Sequence, residues 1–214
     1  MSDITTFEIE RDWNGIGCNI FAKRKISLTS GVTILVGCNG AGKTTLLHQL
    51  ETILQKKKLP VIRFDNLRDG GHNARSELAF FQDFAGLANS LCGSEGENIN
   101  MNLGRFASRL GDFVRKQPPG SDVFILLDAV DSGYSVDNIV DLKGLFDLIL
   151  QTADGRFIYI IASANEYELA RGESCYDVNN CKYVTFKDYE EYRKFILASR
   201  ELKDARVYKK EEDT

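Results

Sequence analysis

Short apolar runs alternate along this chain with longer stretches in which apolar residues recur at helical spacing. The strand-like pattern, alternating or continuously apolar, covers residues 5–9, 18–27, 32–36, 61–64, 123–127, 157–162 and 182–186. Three of these runs, VTILV (32–36), VFILL (123–127) and FIYIIA (157–162), are mostly apolar. This pattern is typical of central strands in a sheet that is covered on both faces.

Helical periodicity is clearest between the last two apolar runs. Leu142, Leu145, Phe146 and Ile149 fall at i, i+3, i+4 and i+7 and form one apolar stripe, with Ser135 as the expected N-cap. We expect further helices over residues 43–57, after Glu97, and over residues 188–204. The helix after Glu97 would turn inward Ile99, Leu103, Phe106, Leu110 and Phe113. Strands that alternate with helices predict an α/β fold with a mixed, mostly parallel central sheet flanked by helices.

Composition narrows the class of protein. The chain has 214 residues, 43% of them hydrophobic and 27% charged, which fits one substantial globular domain. No apolar run approaches the roughly 18–20 residues that span a bilayer. The acidic N-terminus, MSDITTFEIERD, lacks the apolar core of a signal peptide. We therefore expect a cytoplasmic protein that does not contact the membrane.

Cysteine usage and charge narrow the class of protein further. The five Cys are odd in number and contain no C-x-x-C pair, so reduced thiols are expected rather than zinc or disulfides. The net charge is −4, so binding to nucleic acid would require a local basic patch. Two groups of cations are available, and scattered solvated charge explains them about as well. They are Arg63, Arg68 and Arg75, and Arg105, Arg109, Arg115 and Lys116.

A phosphate-binding motif follows the apolar run VTILV (32–36). GCNGAGKT (37–44) matches G-x-x-x-x-G-K-[ST], with a predicted strand before it and a predicted helix after it. Glycines let backbone N–H groups surround phosphate oxygens, and the helix N-terminus adds further donors. Lys43 would bring its charge to the β- and γ-phosphates of ATP, and Thr44 would offer a hydroxyl to Mg²⁺. The expected nucleotide contacts are Gly37, Cys38, Asn39, Gly40, Ala41, Gly42, Lys43, Thr44 and Thr45.

The motif and its surroundings resemble the ABC-type ATPase heads, nearest the SMC- and RecF-like group of DNA-repair and defence ATPases. The resemblance covers roughly residues 5 to 170 and implies a P-loop NTPase fold with an antiparallel β region at the N-terminus. It divides a single domain into that β region (1–30), a P-loop core (31–170) and a C-terminal strand and helix (171–214). About 50 residues separate Lys43 from Ser94, which excludes a long coiled-coil arm.

The family's other motifs follow in order. SEGE supplies Ser94, Gly96 and Glu97 of a signature loop, which in the family contacts the γ-phosphate held by the other protomer. The same residues also fit an ordinary capping box. VFILLD ends in Asp128 like a Walker B strand, so Asp128 would hold Mg²⁺ directly or through water.

Two family positions depart from the pattern, and one is ambiguous. The segment Asp131-Ser132-Gly133 resembles the loop that crosses the family's dimer interface, but Ala129 stands where a catalytic Glu is usual. No switch His follows FIYIIA, because the only His are His48 and His72. Asn66 and Gln82 are both candidates for the Q-loop residue.

Ala129 leaves three interpretations open. The protein could bind ATP and hydrolyse it slowly or not at all, since orienting water is only one part of phosphate-loop catalysis. Another acid could serve, with Asp131 the leading substitute and Glu97 or Glu166 as alternatives. Ala129 could also replace a natural Glu by engineering. We favour a natural, divergent ATPase in which Lys43, Asp128 and Asp131 are the catalytic candidates.

The sequence thus predicts an ATP- and Mg²⁺-binding ATPase that dimerises around ATP. It would drive a conformational change in a partner protein or in nucleic acid. The alternatives are a non-hydrolysing ATP-gated switch or interaction module with a degenerate catalytic site and, less favoured, a small-molecule P-loop kinase. SEGE before a helix counts against the kinase, and no Arg-rich lid is evident.

Overall fold

The computed structural model describes residues 4–12, 19–65 and 107–212, with side chains up to residue 205. The strands are β1 (Ile4–Glu8), β2 (Lys25–Thr29), β3 (Gly31–Val36), β4 (Val61–Asp65), β5 (Asp122–Asp128), β6 (Phe157–Ser163), β7 (Cys175–Asp177) and β8 (Lys182–Val184). The helices are α1 (Lys43–Lys56), α2 (described over 107–115), α3 (Val136–Gln151), α4 (Tyr167–Ala170) and α5 (Tyr189–Glu212).

A six-stranded sheet has the order β4-β5-β6-β3-β7-β8. Pairing is parallel from β4 through β7 and antiparallel only between β7 and β8. β1 and β2 form a separate antiparallel ribbon. These features confirm the predicted α/β class, with a mixed, mostly parallel sheet and an antiparallel N-terminal region.

The three mostly apolar runs are the adjacent central strands β5, β6 and β3. Their successive side chains enter two separate cores, because side chains alternate between the faces of a strand. On β5, Ile125 and Leu127 pack with α3, whereas Phe124 and Leu126 pack with α1 and the β1–β2 ribbon. Burial on both faces explains why these strands are continuously apolar.

The chain leaves two neighbouring strands in opposite directions. After β3 it continues into α1, whose apolar side chains pack on the same face as the β1–β2 ribbon. After β6 it continues into α4, which packs on the other face together with α3. In open α/β sheets ligands bind in the crevice outside the carboxyl ends of strands at such a switch point. The fold therefore opens a crevice between the ends of β3 and β6.

The β1–β2 ribbon is attached to α1 through one buried side chain. The Gln49 Oε1 atom accepts the Glu10 N–H at 2.8 Å, and Gln49 Nε2 donates to the Glu10 carbonyl at 3.0 Å. Gln49 is 2% exposed, whereas Glu10 is exposed, so the two bonds are half-buried. One amide side chain thereby satisfies both backbone groups of a residue just past β1.

The predicted strand over 18–27 is wrong in its first part. β2 begins only at Lys25, and residues 19–24 are irregular. Phe21 is fully buried, and the N–H of Ala22 bonds to the carbonyl of Asn179 at 2.9 Å. Tertiary contacts with a distant part of the chain thus replace the strand pairing that the apolar pattern suggested.

Beyond residue 170, β7 and β8 form a hairpin followed by α5. The strand expected over 182–186 is observed as β8 (Lys182–Val184). β7 joins the main sheet beside β3, with Val36 paired to Asp177. This brings the C-terminal part of the chain next to the end of the phosphate loop's strand.

Candidate nucleotide site

The phosphate loop connects β3 to α1 and turns on glycines with positive φ. Gly40 has φ +78° and Gly42 has φ +102°, a region that side chains rarely adopt. A Cβ on Gly42 would stand 2.6 Å from Cγ2 of Ile20, so a side chain there would force Ile20 aside. Gly42 is needed both for its backbone angle and for the close approach of Ile20.

Lys43 is folded back onto the loop that precedes it. Its Nζ donates to the carbonyl of Gly37 at 2.7 Å and lies 3.4 Å from that of Cys38. Lys43 is 8% exposed, and this burial lowers its pKa against the opposing attraction of Cys38, Asp131 and Asp128. The carbonyls thus hold a buried ammonium group inside the loop, where an incoming phosphate would stabilise its charge.

Asp128, at the end of β5, joins the phosphate loop to β6. Thr44 Oγ1 donates to Asp128 Oδ1 at 3.1 Å, and Ser163 Oγ donates to the same oxygen at 3.0 Å. Asp128 is 3% exposed. Thr44 and Asp128, which the sequence predicts as ligands of Mg²⁺, are therefore in direct contact, and their binding of the ion stays a prediction.

This pair fits Mg²⁺, which prefers oxygen ligands and keeps waters and phosphates around it. A hydroxyl and a carboxylate that share a hydrogen bond are hard oxygen donors in one place. Thr44 and Asp128 would hold the ion, and a bound ion would offset charge on the phosphates. Among the residues that the structure describes, no cluster of three or more His, Cys, Asp or Glu is placed to hold a metal.

Arg63, on β4, is a partner of Asp128 that we did not expect from the sequence. Its Nη2 donates to Asp128 Oδ2 at 3.1 Å, and its Nη1 bonds to Glu51 Oε2 at 3.0 Å. Asp65 Oδ2 lies 4.0 Å from the same Nη2. The sequence indicates Arg63 only as a possible member of a basic patch. β4 and β5 pair in register, with Asp65 beside Asp128, and this places Arg63 near Thr44 and Asp128.

Ala129 adopts a left-handed conformation at the position where a Glu was expected. Its φ is +50°, and its N–H donates to Ser163 Oγ at 2.7 Å. Ser163 therefore accepts from Ala129 while it donates to Asp128, which fixes the ends of β5 and β6 together. Ala129 also lines the cavity described below.

Asp131 is fully buried and contacts the loop after β6. Its Oδ2 accepts the backbone N–H groups of Asn165 and Glu166, each at 2.7 Å, and its Oδ1 lies 3.4 Å from Asn165 Nδ2. Burial raises the pKa of Asp131, against the lowering effect of these N–H bonds. In this arrangement the carboxylate positions the loop. A role in activating water stays a prediction, and it would require release from Asn165 and Glu166.

A cavity of about 210 Å³ lies at the crevice between β3 and β6. Its walls are Ile20, Asn39, Gly40, Ala41, Gly42, Lys43, Thr44, Thr45, Ala129, Ser163 and Asn165. The phosphate loop forms one side, and the ends of β5 and β6 form the other. Most of the loop residues predicted to contact nucleotide are thus gathered around one opening.

Several predicted residues lie outside the described part of the chain. These are the signature-loop residues Ser94, Gly96 and Glu97, the Q-loop candidates Asn66 and Gln82, and His72. His48 lies on α1 with its side chain exposed, 3.8 Å from Glu51. Ser132 and Gly133, in the predicted interface loop, are exposed.

The C-terminal part contributes contacts that sequence reasoning missed. Ser199 Oγ accepts the N–H of Cys38 at 3.1 Å, and Asn179 Nδ2 donates to the carbonyl of Ala41 at 2.9 Å. No local pattern around residue 179 or 199 signals these bonds, since their partners lie more than a hundred residues away in the chain.

No protein-family model and no curated protein sequence matches the chain. A solved structure that is similar to it is the ADP conformation of an ATP-binding cassette of an ABC transporter. It is 15% identical, the match covers 90% of this chain and 94% of that chain, and the TM-score is 0.48. A likeness of this degree does not say what the chain binds.

Within residues 4–12, 19–65 and 107–212, no helix has both the length and the apolarity that crossing a membrane requires.

Proposed function

We propose that the chain binds ATP with Mg²⁺ in the cavity between β3 and β6. The convergence of Lys43, Thr44 and Asp128 carries this proposal. The ammonium of Lys43 lies within the loop, and Thr44 contacts Asp128 across the crevice at 3.1 Å. Backbone N–H groups at the start of α1 and a buried ammonium group suit a polyphosphate, and the hydroxyl–carboxylate pair suits its metal ion.

We further propose that the chain hydrolyses ATP slowly, as an ATPase of the SMC- and RecF-like kind. Lys43 and the loop would supply charge and positioning, which are the larger part of phosphate-loop catalysis. Asp131 remains the candidate for activating water, with Glu166 at the neighbouring loop position as the alternative. Ser94, Gly96 and Glu97 would complete the site of a second copy in an ATP-dependent homodimer.

The conformation around Ala129 favours a second candidate, a non-hydrolysing ATP-gated switch. Ala129 places a methyl group in the cavity wall where a carboxylate was expected, and Asp131 is engaged with backbone N–H groups. A protein with this wall could hold ATP and change its contacts without turnover. In either case a partner protein or nucleic acid would receive the change.

Phosphate release in a single turnover decides between the two candidates. An ATPase should release phosphate from bound ATP, and Lys43→Ala and Asp128→Asn should each slow release by about 10²-fold or more, about 3 kcal/mol of activation free energy. A switch should bind ATP and release no phosphate above the level of Lys43→Ala. Light scattering with and without ATP tests dimerisation in the same samples, and a mass that ATP does not change would contradict the homodimer.

A further inference from the structure

The C-terminal helix α5 holds the phosphate loop by its main chain. Ser199 Oγ accepts the N–H of Cys38 at 3.1 Å and donates to Asn179 Oδ1 at 2.9 Å. Asn179 in turn donates to the carbonyl of Ala41 at 2.9 Å. Ser199 is 3% and Asn179 is 1% exposed, so this chain of hydrogen bonds is shielded from water. The loop is therefore fixed at two points by residues from the end of the chain.

Lys203 follows Ser199 by one helical turn and lies on the same face of α5. Its Nζ donates to the carbonyl of Asn39 at 3.3 Å. Its Cδ is 3.5 Å from the point where a Cβ on Gly40 would stand. Asn39 and Gly40 both line the cavity. A cation from outside the phosphate-loop motif thus lies at the rim of the candidate site.

The position of Lys203 is set by contacts of the residues that precede it on α5. Ile196 packs against both hydrophobic cores, and Ser199 is locked by its two hydrogen bonds. This fixes the rotation of the helix about its axis at the loop. The head of Lys203 itself is less constrained, since the side chain is 35% exposed and Asp204, 3.7 Å away, is 48% exposed. The ammonium can move from one oxygen to another while its helix stays in place.

We propose that Lys203 is a second phosphate-binding cation of the nucleotide site, delivered by α5. The proposal rests on the proposed binding of ATP. Lys43 is buried and bonded to the loop's own carbonyls, so it offers one inner charge. Lys203 would exchange the carbonyl of Asn39 for a phosphate oxygen at the rim, because a charged acceptor binds an ammonium more strongly than a neutral one.

Such a contact would link the nucleotide to the C-terminal helix. Gly40 has no Cβ and a φ of +78°, which lets the stem of Lys203 lie close to the loop. A bound polyphosphate would then draw the loop and α5 together through Lys203. The C-terminal segment, to which the sequence assigned no chemistry, would become part of the site.

Calorimetric titration of the full chain with ATP, ADP and adenosine tests this proposal. Lys203→Met keeps the aliphatic stem and removes the charge, Lys203→Arg restores a cation, and Arg200→Met is the matched control. Arg200 is exposed on another face of the same helix. We expect Lys203→Met to weaken the binding of ATP about 10-fold, which corresponds to about 1.4 kcal/mol. In Lys203→Met, the affinity for ADP should fall less than the affinity for ATP, and the affinity for adenosine should not change. Lys203→Arg should recover most of the ATP affinity.

Two results would overturn the role of Lys203 without affecting the proposed binding of ATP. One is equal ATP affinity in Lys203→Met and Arg200→Met while the wild type binds ATP. The other is an equal loss for adenosine and ATP, which would show a structural effect rather than a phosphate contact. A wild-type chain that binds none of the three ligands would overturn the proposed function, and this proposal with it. Thermal unfolding without ligand verifies that the variants are folded.

Discussion

At the scale of single residues, two carboxylates at the end of the central strand β5 and just beyond it have different surroundings. Asp128 bonds to Thr44 and Ser163, which both line the cavity. Asp131 bonds instead to the backbone of the loop after β6. The same short segment thus places one acid in contact with Thr44 at the cavity and the other in contact with the loop after β6.

Asp131→Asn and Asp131→Ala separate the structural role of Asp131 from a chemical one. The Asn oxygen can still accept both N–H groups, whereas Ala leaves them unpaired, so Ala should lose about 2–3 kcal/mol of stability and Asn less than about 1. Urea denaturation measures both. Equal losses in the two variants would contradict the role of these bonds.

Phosphate release by Asp131→Asn and Asp131→Ala tests whether Asp131 activates water. If Asp131 is the base, Asp131→Asn should lower release by about 10²-fold or more. Release at the wild-type rate in Asp131→Asn would exclude Asp131 as the base and leave Glu166 as the described alternative.

The pKa of Asp131 adds a pH dependence with a definite sign. Burial raises this pKa above its ordinary value of 3.8, so the folded state binds the proton more tightly than the unfolded state. The associated stability is present below the ordinary value and is lost as pH rises through the folded pKa. Asp131→Asn should therefore gain stability relative to the wild type over that window, as measured by urea denaturation across acidic pH. A difference that does not vary with pH would contradict the raised pKa.

Ala129→Gly should stabilise the protein. Ala129 has φ +50°, and this conformation costs a residue with a Cβ roughly 1 kcal/mol, part of which the greater freedom of an unfolded Gly offsets. We expect a net gain of about 0.5 kcal/mol in the free energy of unfolding. Ala22→Gly, in an exposed loop position without positive φ, is the control and should lose stability. Equal losses of unfolding free energy in Ala129→Gly and Ala22→Gly would contradict the prediction.

Arg63→Met should raise the affinity of the site for Mg²⁺. The guanidinium lies between Asp128, Glu51 and Asp65, and its charge opposes a divalent cation at Asp128. Without it, the Mg²⁺ concentration that half-saturates ATP binding should fall about 10-fold, or about 1.4 kcal/mol. Arg63→Lys keeps the charge and should stay near the wild type. An unchanged Mg²⁺ requirement in Arg63→Met would refute the competition.

At the scale of elements, Gln49 joins α1 to the N-terminal ribbon. Gln49→Ala removes both half-buried bonds to the backbone of Glu10 and empties the space of a buried side chain. We expect a loss of about 2–4 kcal/mol in the free energy of unfolding. His48→Ala, next in sequence and exposed on α1, should change stability by less than about 0.5 kcal/mol. A loss in Gln49→Ala no larger than that of His48→Ala would show that the ribbon does not depend on this side chain.

The central strands were predictable because burial on both faces leaves continuous apolar runs in the sequence. VTILV, VFILL and FIYIIA were therefore located correctly. Residues 19–24 were not, because Phe21 is apolar for packing beside Gly42 and not for pairing in a sheet. Local periodicity cannot distinguish those two reasons for a buried side chain.

The residues of the candidate site likewise divide into those that local sequence motifs predict and those that they do not. Lys43, Thr44 and Asp128 follow from local motifs, and the structure brings them together. Arg63, Ser163 and Ser199 act through partners that lie far from them in the sequence. Their roles depend on strand order and on how α5 packs, and neither is written in a short segment.

At the scale of the whole molecule, the fold collects at one crevice parts from nearly the full length of the chain. Ile20 comes from before the phosphate loop, Ala129 and Asn165 from the ends of β5 and β6. Lys203 reaches the rim from the last helix. A ligand in the cavity would therefore contact segments that are otherwise far apart in sequence, as an ATP-driven change of conformation requires.

ATP affinity in the presence of Mg²⁺, measured by calorimetry on wild type and Lys43→Ala, tests the central proposal most directly. Lys56→Ala, an exposed lysine at the end of the same helix, controls for the loss of one charge. We predict that the wild type and Lys56→Ala bind ATP·Mg²⁺ alike. Lys43→Ala should bind at least about 10-fold more weakly, a loss of about 1.4 kcal/mol or more. Equal ATP affinity in wild type and Lys43→Ala would contradict the assignment of this cavity as a nucleotide site.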